Sequence, residues 1–275
     1  MKKYIIRQEY FGATALNTEN FNYTFFKQRE TDMLKLLQYC EPKKALQQMA
    51  KSVDKSIGEQ VSIDMHNFVL EQKDAGILDS EYKPNYDLRT TPASELMYLP
   101  RGILKAPLRI YLQLPAGLAA MDSDARNSGN NRNYLSRDEI NMIIDEMKAA
   151  DVLELRLAAD ASAHDSTSVL RNIADYAARK GIVTSIDSKC SGQTQKFEGH
   201  PAFDIYLNEC NTGLKIQNDG ELARCDNAVT KYKNNGLRNI RDYNYSILDA
   251  WHDSENVQKP ALIGNTNTHN SIWND

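Results

Sequence analysis

The sequence predicts an α/β protein assembled from α+β modules, and three observations predict it. Short strand-like runs give way to helix-period stretches within residues 1–80. From Pro107 to Ile186, strand and helix patterns alternate, as they do in a parallel sheet with helical crossovers. Further on, Asn218-Asp219-Gly220 lies between two short apolar runs, the arrangement of a hairpin turn. These divisions give a first module over 1–80, a linker over 81–106, a βα unit over 107–208, and a hairpin with its tail over 209–275.

At 275 residues the chain is long enough for a sizeable core and two or three modules. Charged residues make up 25% and the net charge is −4, so no basic footprint points to nucleic acid. Mean hydropathy is −0.59, and no run approaches the length of about 18 apolar residues that a membrane span needs. Met1-Lys2-Lys3 followed by Tyr-Ile-Ile-Arg-Gln-Glu-Tyr is too short and too polar for a secretory signal. Cys40, Cys190, Cys210 and Cys225 are spaced too widely for a secreted disulfide framework. The expectation is a cytoplasmic protein with reduced thiols, binding neither nucleic acid nor membrane.

In the first module, Tyr4 to Gly12, Thr14 to Asn17 and Phe21 to Lys27 read as strands, punctuated by Gly12 and Asn20. A helix follows over Glu30 to Gln38, with Met33, Leu34, Leu36 and Leu37 as its apolar face. Pro42 opens a second, as proline does at a first helical position. The third runs from about Glu59 to Ala75, where Val61, Met65, Phe68 and Val69 fall at i, i+4, i+7 and i+8; Gly76 suits its C-cap. Three strands followed by three helices resemble the winged-helix module with which peptide maturases recognise a precursor's leader, the RiPP recognition element. The resemblance implies that a leader peptide adds a strand along Asn22, Tyr23, Thr24, Phe25 and Phe26, facing Met65, Phe68 and Val69. Backbone hydrogen bonds would then give affinity and alternate side-chain pockets specificity. The plainer reading is that these aromatics are core, and strand alternation puts about half of them inside.

Ser80 to Leu104, with Pro84, Pro92 and Pro100 and no clean period, suggests the linker. From Pro107, Pro107-Leu-Arg-Ile-Tyr-Leu-Gln-Leu114 reads as a strand. Ser136 to Glu139 is a capping box, and the helix behind it carries Ile140, Ile143, Ile144 and Met147 on one face. Val152 to Leu157 is a second strand, Ser166 to Lys180 a second helix and Ile182 to Ile186 a third strand. This βαβαβ unit resembles the opening of a radical S-adenosylmethionine (radical SAM) peptide maturase. In that family the first strand runs into a C-x3-C-x2-C loop whose thiolates hold a [4Fe–4S] cluster. The corresponding positions here are Leu118, Asp122 and Ala125. Clusters need thiolate ligands, and neither leucine nor alanine has a lone pair to donate. The family's Gly-Gly-Glu-Pro at the second strand corresponds to Ala159-Asp160-Ala161-Ser162, and its Thr-Asn-Gly to Asp187-Ser188-Lys189. Three cofactor-holding features are thus altered together. Only about three of the family's six βα units fit before Glu209, each needing on the order of 30 residues. The resemblance therefore implies a truncated, degenerate radical SAM-type partial barrel. Its short parallel sheet leaves an edge that a downstream module, a second copy of the chain or an intact maturase must cover.

Cys210 to Cys225 has the form C-x9-G-x4-C and resembles the first motif of the SPASM or twitch extension of these maturases. Gly236-Leu-Arg-Asn-Ile240 and Ser246-Ile-Leu-Asp-Ala-Trp251 resemble that extension's later signature. No cysteine follows Cys225, so the resemblance implies a hairpin remnant. Cys190, Cys210 and Cys225 are the residual candidates for an iron–sulfur site; the simpler expectation is no cofactor, with small thiols packed at a hairpin base.

Three possibilities follow. The first is a non-catalytic radical SAM-like protein that binds a ribosomal precursor peptide and presents it to, or serves as a subunit of, an active modifying enzyme. The second is a repurposed enzyme, with metal-dependent or hydrolytic chemistry at Asp122, Asp160 and His164. The third is a homodimer in which two half-barrels complete one another and make a new interface cavity. Against the second, the sequence has no metal-ligand spacing, glycine-rich phosphate loop or nucleophile motif.

Overall fold

A computed structural model describes residues 2–53, 55–92, 104–114, 134–159, 167–187, 212–223 and 238–253. The chain divides into two units, Met1–Lys105 and Ala106–Asp275, each a mixed α/β assembly with its own sheet.

The first unit runs β1 (Tyr4–Glu9), β2 (Gly12–Asn17), β3 (Tyr23–Lys27), α1 (Gln28–Leu37), α2 (Pro42–Lys51), α3 (Lys55–Asp74) and β4 (Tyr86–Arg89). Its sheet order is β3-β2-β1-β4, with β1, β2 and β3 antiparallel and β4 parallel to β1. Gly12 opens β2 at φ +143°, where a Cβ would lie 2.1 Å from the Phe26 carbonyl oxygen; backbone conformation and space both demand glycine. Strand alternation sends Tyr4, Ile6, Ala13, Ala15, Phe26 and Tyr86 towards the helices. There they form one core with Met33, Leu34, Leu37, Met65 and Phe68.

The other face of this sheet is buried too, through Ile5, Arg7, Glu9, Thr14, Leu16 and Phe25. Arg7 Nη2 lies 2.6 Å from Glu9 Oε1, both side chains fully enclosed. Burial pushes the Glu9 carboxyl above its ordinary range, and the Arg7 guanidinium works against that shift.

The stretch expected to be a linker, 81–106, is corrected in part: it supplies β4 to the sheet. Its flanks are tied down as well. Thr91 N–H donates to Gln8 Oε1 (3.4 Å), Lys105 N–H to Glu9 Oε2 (3.3 Å), and Lys105 Nζ to Thr91 Oγ1 (2.7 Å). The physical reason is ladder pairing. β2 occupies only one side of β1, and the buried backbone groups on its other side need partners.

The second unit runs β5 (Arg109–Leu114), α4 (Arg137–Ala149), β6 (Glu154–Ala159), α5 (Thr167–Arg179), β7 (Val183–Asp187), β8 (Gly213–Ile216), β9 (Leu222–Ala223), a 3₁₀ turn (Ile240–Tyr243) and α6 (Ile247–His252). The sheet order is β7-β6-β5-β8-β9, parallel except for β9. Ile110, Leu112, Leu155 and Leu157 are buried, as are Ile140, Ile143, Ile144 and Met147 of α4. The alternate positions carry a polar row. Arg156 Nε is 2.5 Å from Glu154 Oε1, and Arg109 Nε 3.9 Å from Glu154 Oε2.

The hairpin forms as the turn residues predict, but it is not a separate module. β8 pairs in parallel with β5, with Arg109 opposite Gly213 and Leu112 opposite Ile216. The boundary expected near 209 therefore cuts through one sheet. Of the covers expected for the sheet edge (the downstream module, a second copy or an intact maturase), the β5 edge takes the first: β8 lies beside it. Close packing fixes the join: a Cβ on Gly213 would lie 2.9 Å from Arg109 Cγ and 3.1 Å from Tyr111 Cε2.

Candidate peptide-binding surface

β3 forms because Tyr23-Thr-Phe-Phe-Lys27 is rich in aromatic and β-branched residues, and it ends where α1 begins. The Lys27 N–H donates to Glu30 Oε2 (2.7 Å), and Thr31 Oγ1 donates to the Lys27 carbonyl (2.9 Å). On the inner side, Asn17 N–H donates to the Asn22 carbonyl (2.9 Å). Asn22 opposite Asn17 is thus a hydrogen-bonded pair, and so, by alternation, are Thr24 opposite Ala15 and Phe26 opposite Ala13. The same alternation turns the backbone N–H and C=O of Tyr23 and Phe25 away from β2. Among the described residues, β3 is the terminal strand of its sheet.

An aromatic contact joins this strand to α3. The Phe26 and Phe68 rings meet edge-on, with centroids 5.9 Å apart and planes at 90°. On the opposite face Phe25 packs against Phe11 at 6.3 Å. Of the eight residues the sequence marks for peptide contact, Phe25, Phe26, Met65, Phe68 and Val69 are buried. Phe26, Met65, Phe68 and Val69 belong to the core between sheet and helices, whereas Phe25 lies on the opposite face of the sheet. Asn22 and Thr24 are exposed and Tyr23 is half-buried, so these three are the accessible members.

The Phe68 side of α3 carries side chains that the sequence reading did not single out. Asp64 lies one turn before Phe68 and Glu71 one turn after it, on the same side of the helix; both are exposed. Gln60 continues the ridge and donates to Asp64 Oδ1 (2.7 Å). The spacing from Phe68 was visible in the sequence; which side of α3 packs against β3 was not. On the other flank, α2 and α3 enclose an open groove of about 710 Å³, lined by Leu46, Ala50, His66, Val69, Leu70 and Tyr82 among others. Lys73 belongs to that side, with its Nζ 4.2 Å above the Tyr82 ring.

Leu118, Asp122, Ala125, Asp160, His164, Cys190, Cys210 and Cys225 lie outside the described residues. The donor chemistry of the first three does not fit a [4Fe–4S] cluster, since Asp122 alone among them has a ligating atom. Among the described residues, no three or more His, Cys, Asp or Glu side chains gather to hold a metal ion, and no helix is long and apolar enough to cross a membrane.

No protein-family model and no curated relative matches the chain. Among solved structures it is similar to SuiB of Streptococcus suis. With S-adenosylmethionine bound, that protein shares 11% identity at a TM-score of 0.37, over 92% of this chain and 88% of that one. Bound to the precursor peptide SuiA, it shares 11% at a TM-score of 0.36 over the same extents. Likenesses this weak decide neither the fold nor the function of the chain.

Proposed function

We propose that this chain is a peptide-binding protein of ribosomal peptide maturation, a catalytically silent relative of radical SAM peptide maturases. It takes up the leader of a precursor peptide by strand addition at β3 and presents it to an active modifying enzyme in the cytoplasm. The observation that carries the reading is the position of β3 at the end of its sheet, braced by Phe68 through Phe26. A leader strand laid beside β3 would continue the ladder. About four added backbone bonds at about 1 kcal/mol each are offset by ordering the peptide, so side chains decide which sequence is held. The accessible Asn22, Tyr23 and Thr24 and the α3 flank are placed for that selection.

The silence of the chain towards radical chemistry is supported by Leu118, Asp122 and Ala125 in place of thiolates. The truncated-barrel and SPASM-remnant reading of the second unit belongs to the same proposal and rests on the sequence resemblance. So does the partner enzyme.

The test is titration of the full chain with a fluorescent leader peptide from the neighbouring precursor. Saturable binding is expected, weakened at least tenfold by Tyr23→Pro. That substitution removes the N–H directed away from β2 and leaves the Asn17–Asn22 bond in place. No saturable binding, or binding indifferent to the proline, contradicts the proposal.

A further inference from the structure

Two carboxylates lie on the Phe68 side of α3, and no cation of α3 whose side chain is described shares that side. Phe68 of α3 packs against Phe26 of β3, on the side of the helix away from the α2 groove that Ser62, His66, Val69 and Leu70 line. Asp64 (i−4) and Glu71 (i+3) lie one turn to either side of Phe68 on that side of the helix, and both are exposed. Lys73 is engaged over the Tyr82 ring on the α2 side. On β3 itself, alternation places Lys27 on the sheet face opposite Phe26, away from α3. A strand docked on β3 would send every second side chain towards α3, into a field set by Asp64 and Glu71.

We propose that the β3–α3 edge selects a cationic leader segment, in which Lys or Arg at alternate positions faces Asp64 and Glu71. The inference rests on the leader-binding reading and adds to it the chemical class of the peptide. The argument is charge complementarity along a surface that already supplies a ladder edge. The carboxylates choose among peptides, and the backbone of β3 holds them. Because both carboxylates are exposed, each pairing is modest and screened by salt.

Short fluorescein-labelled peptides of alternating Val and Lys, or alternating Val and Glu, separate the two claims when titrated into the full chain by anisotropy. A third probe is the Val-Lys peptide N-methylated at every second residue, which keeps its charge but cannot extend a sheet. The Val-Lys peptide is expected to bind, and the Val-Glu and N-methylated peptides to bind far more weakly. Asp64→Asn with Glu71→Gln should weaken the Val-Lys peptide by about 3- to 10-fold at low salt, with a smaller difference at high salt. The reversed pair, Asp64→Lys with Glu71→Lys, should exchange the preference to the Val-Glu peptide. Equal binding of the Val-Lys and Val-Glu peptides, both of it requiring free peptide N–H groups, overturns the charge inference and leaves strand addition standing. Undiminished binding of the N-methylated peptide overturns strand addition itself, and the inference with it. Binding of neither unmodified peptide also overturns the inference.

Discussion

Phe26 of β3 and Phe68 of α3 meet at right angles, ring centroids 5.9 Å apart, and through them the last strand of a sheet is fixed to the longest helix of its unit. An edge strand held by one side and a turn is prone to fray. Here the brace keeps β3 extended where a further strand would join it.

Phe68→Ala removes that brace from a site that is 5% exposed. A loss of about 3–5 kcal/mol is expected for the first unit, together with faster amide exchange across Tyr23–Lys27. Denaturant unfolding combined with hydrogen exchange checks both. Unchanged exchange in β3 would show that α3 does not hold the edge.

Glu139 ties the start of α4 to the 3₁₀ turn and to Tyr245 just beyond it. Its side chain caps the Ser136 N–H (2.7 Å), receives Arg241 Nε (2.5 Å), and accepts the Tyr245 hydroxyl (2.7 Å). Arg241 also donates to the Asp219 carbonyl at the hairpin turn (2.6 Å). Partial burial raises the carboxyl pKa, but the hydrogen bonds from Arg241, Ser136 and Tyr245 outweigh it and hold the value at about 2, against an ordinary 4.5. A depressed carboxylate pKa stabilises the fold fully above the ordinary value. That contribution fades as pH falls from about 4.5 towards 2. Glu139→Gln should cost about 2 kcal/mol at neutral pH and flatten the acid limb of the stability curve. The buried Trp251 of α6 offers a fluorescence readout.

Arg7 and Glu9 form an enclosed ion pair, so breaking it and replacing it differ. Arg7→Met alone strands a buried carboxylate and should cost about 3–5 kcal/mol. Arg7→Met with Glu9→Leu should recover most of that loss. Thermal unfolding of the three proteins checks the order, and a double variant no better than the single one contradicts it.

Gly213→Ala tests whether β8 belongs to the same sheet as β5. Its methyl group would lie 2.9 Å from Arg109 Cγ, and overpacking of this kind costs about 1–3 kcal/mol. If β8 instead belonged to a separate hairpin module, the substitution would be nearly neutral.

Local chemistry was legible where one residue decides the outcome. The Ser136–Glu139 capping box forms in both directions, Pro42 sits in the first turn of α2, and Gly220 takes φ +89° in the hairpin turn. Pairing between distant strands was not. Tyr86–Arg89 is four residues long and begins two residues after Pro84, so its alternation is too brief to read; only its partner β1 makes it a strand. β8 looked like half of a hairpin because its turn is local, whereas its parallel neighbour β5 lies far back in the chain. The peptide surface shows the same limit. Alternation told that about half of Tyr23–Phe26 faces inward, but sheet order decides that β3 is an edge, and helix packing decides that the side of α3 carrying Phe68, Asp64 and Glu71 is the one that meets β3. The placement of Leu118, Asp122, Ala125 and the three candidate cysteines lies outside the described residues.

Hydrogen–deuterium exchange of the full chain, with and without the leader peptide, tests leader docking most directly. Slowed exchange concentrated in 22–27, with matching protection in one stretch of the leader, is the predicted result. Tight binding that protects other segments and leaves β3 unchanged would contradict it.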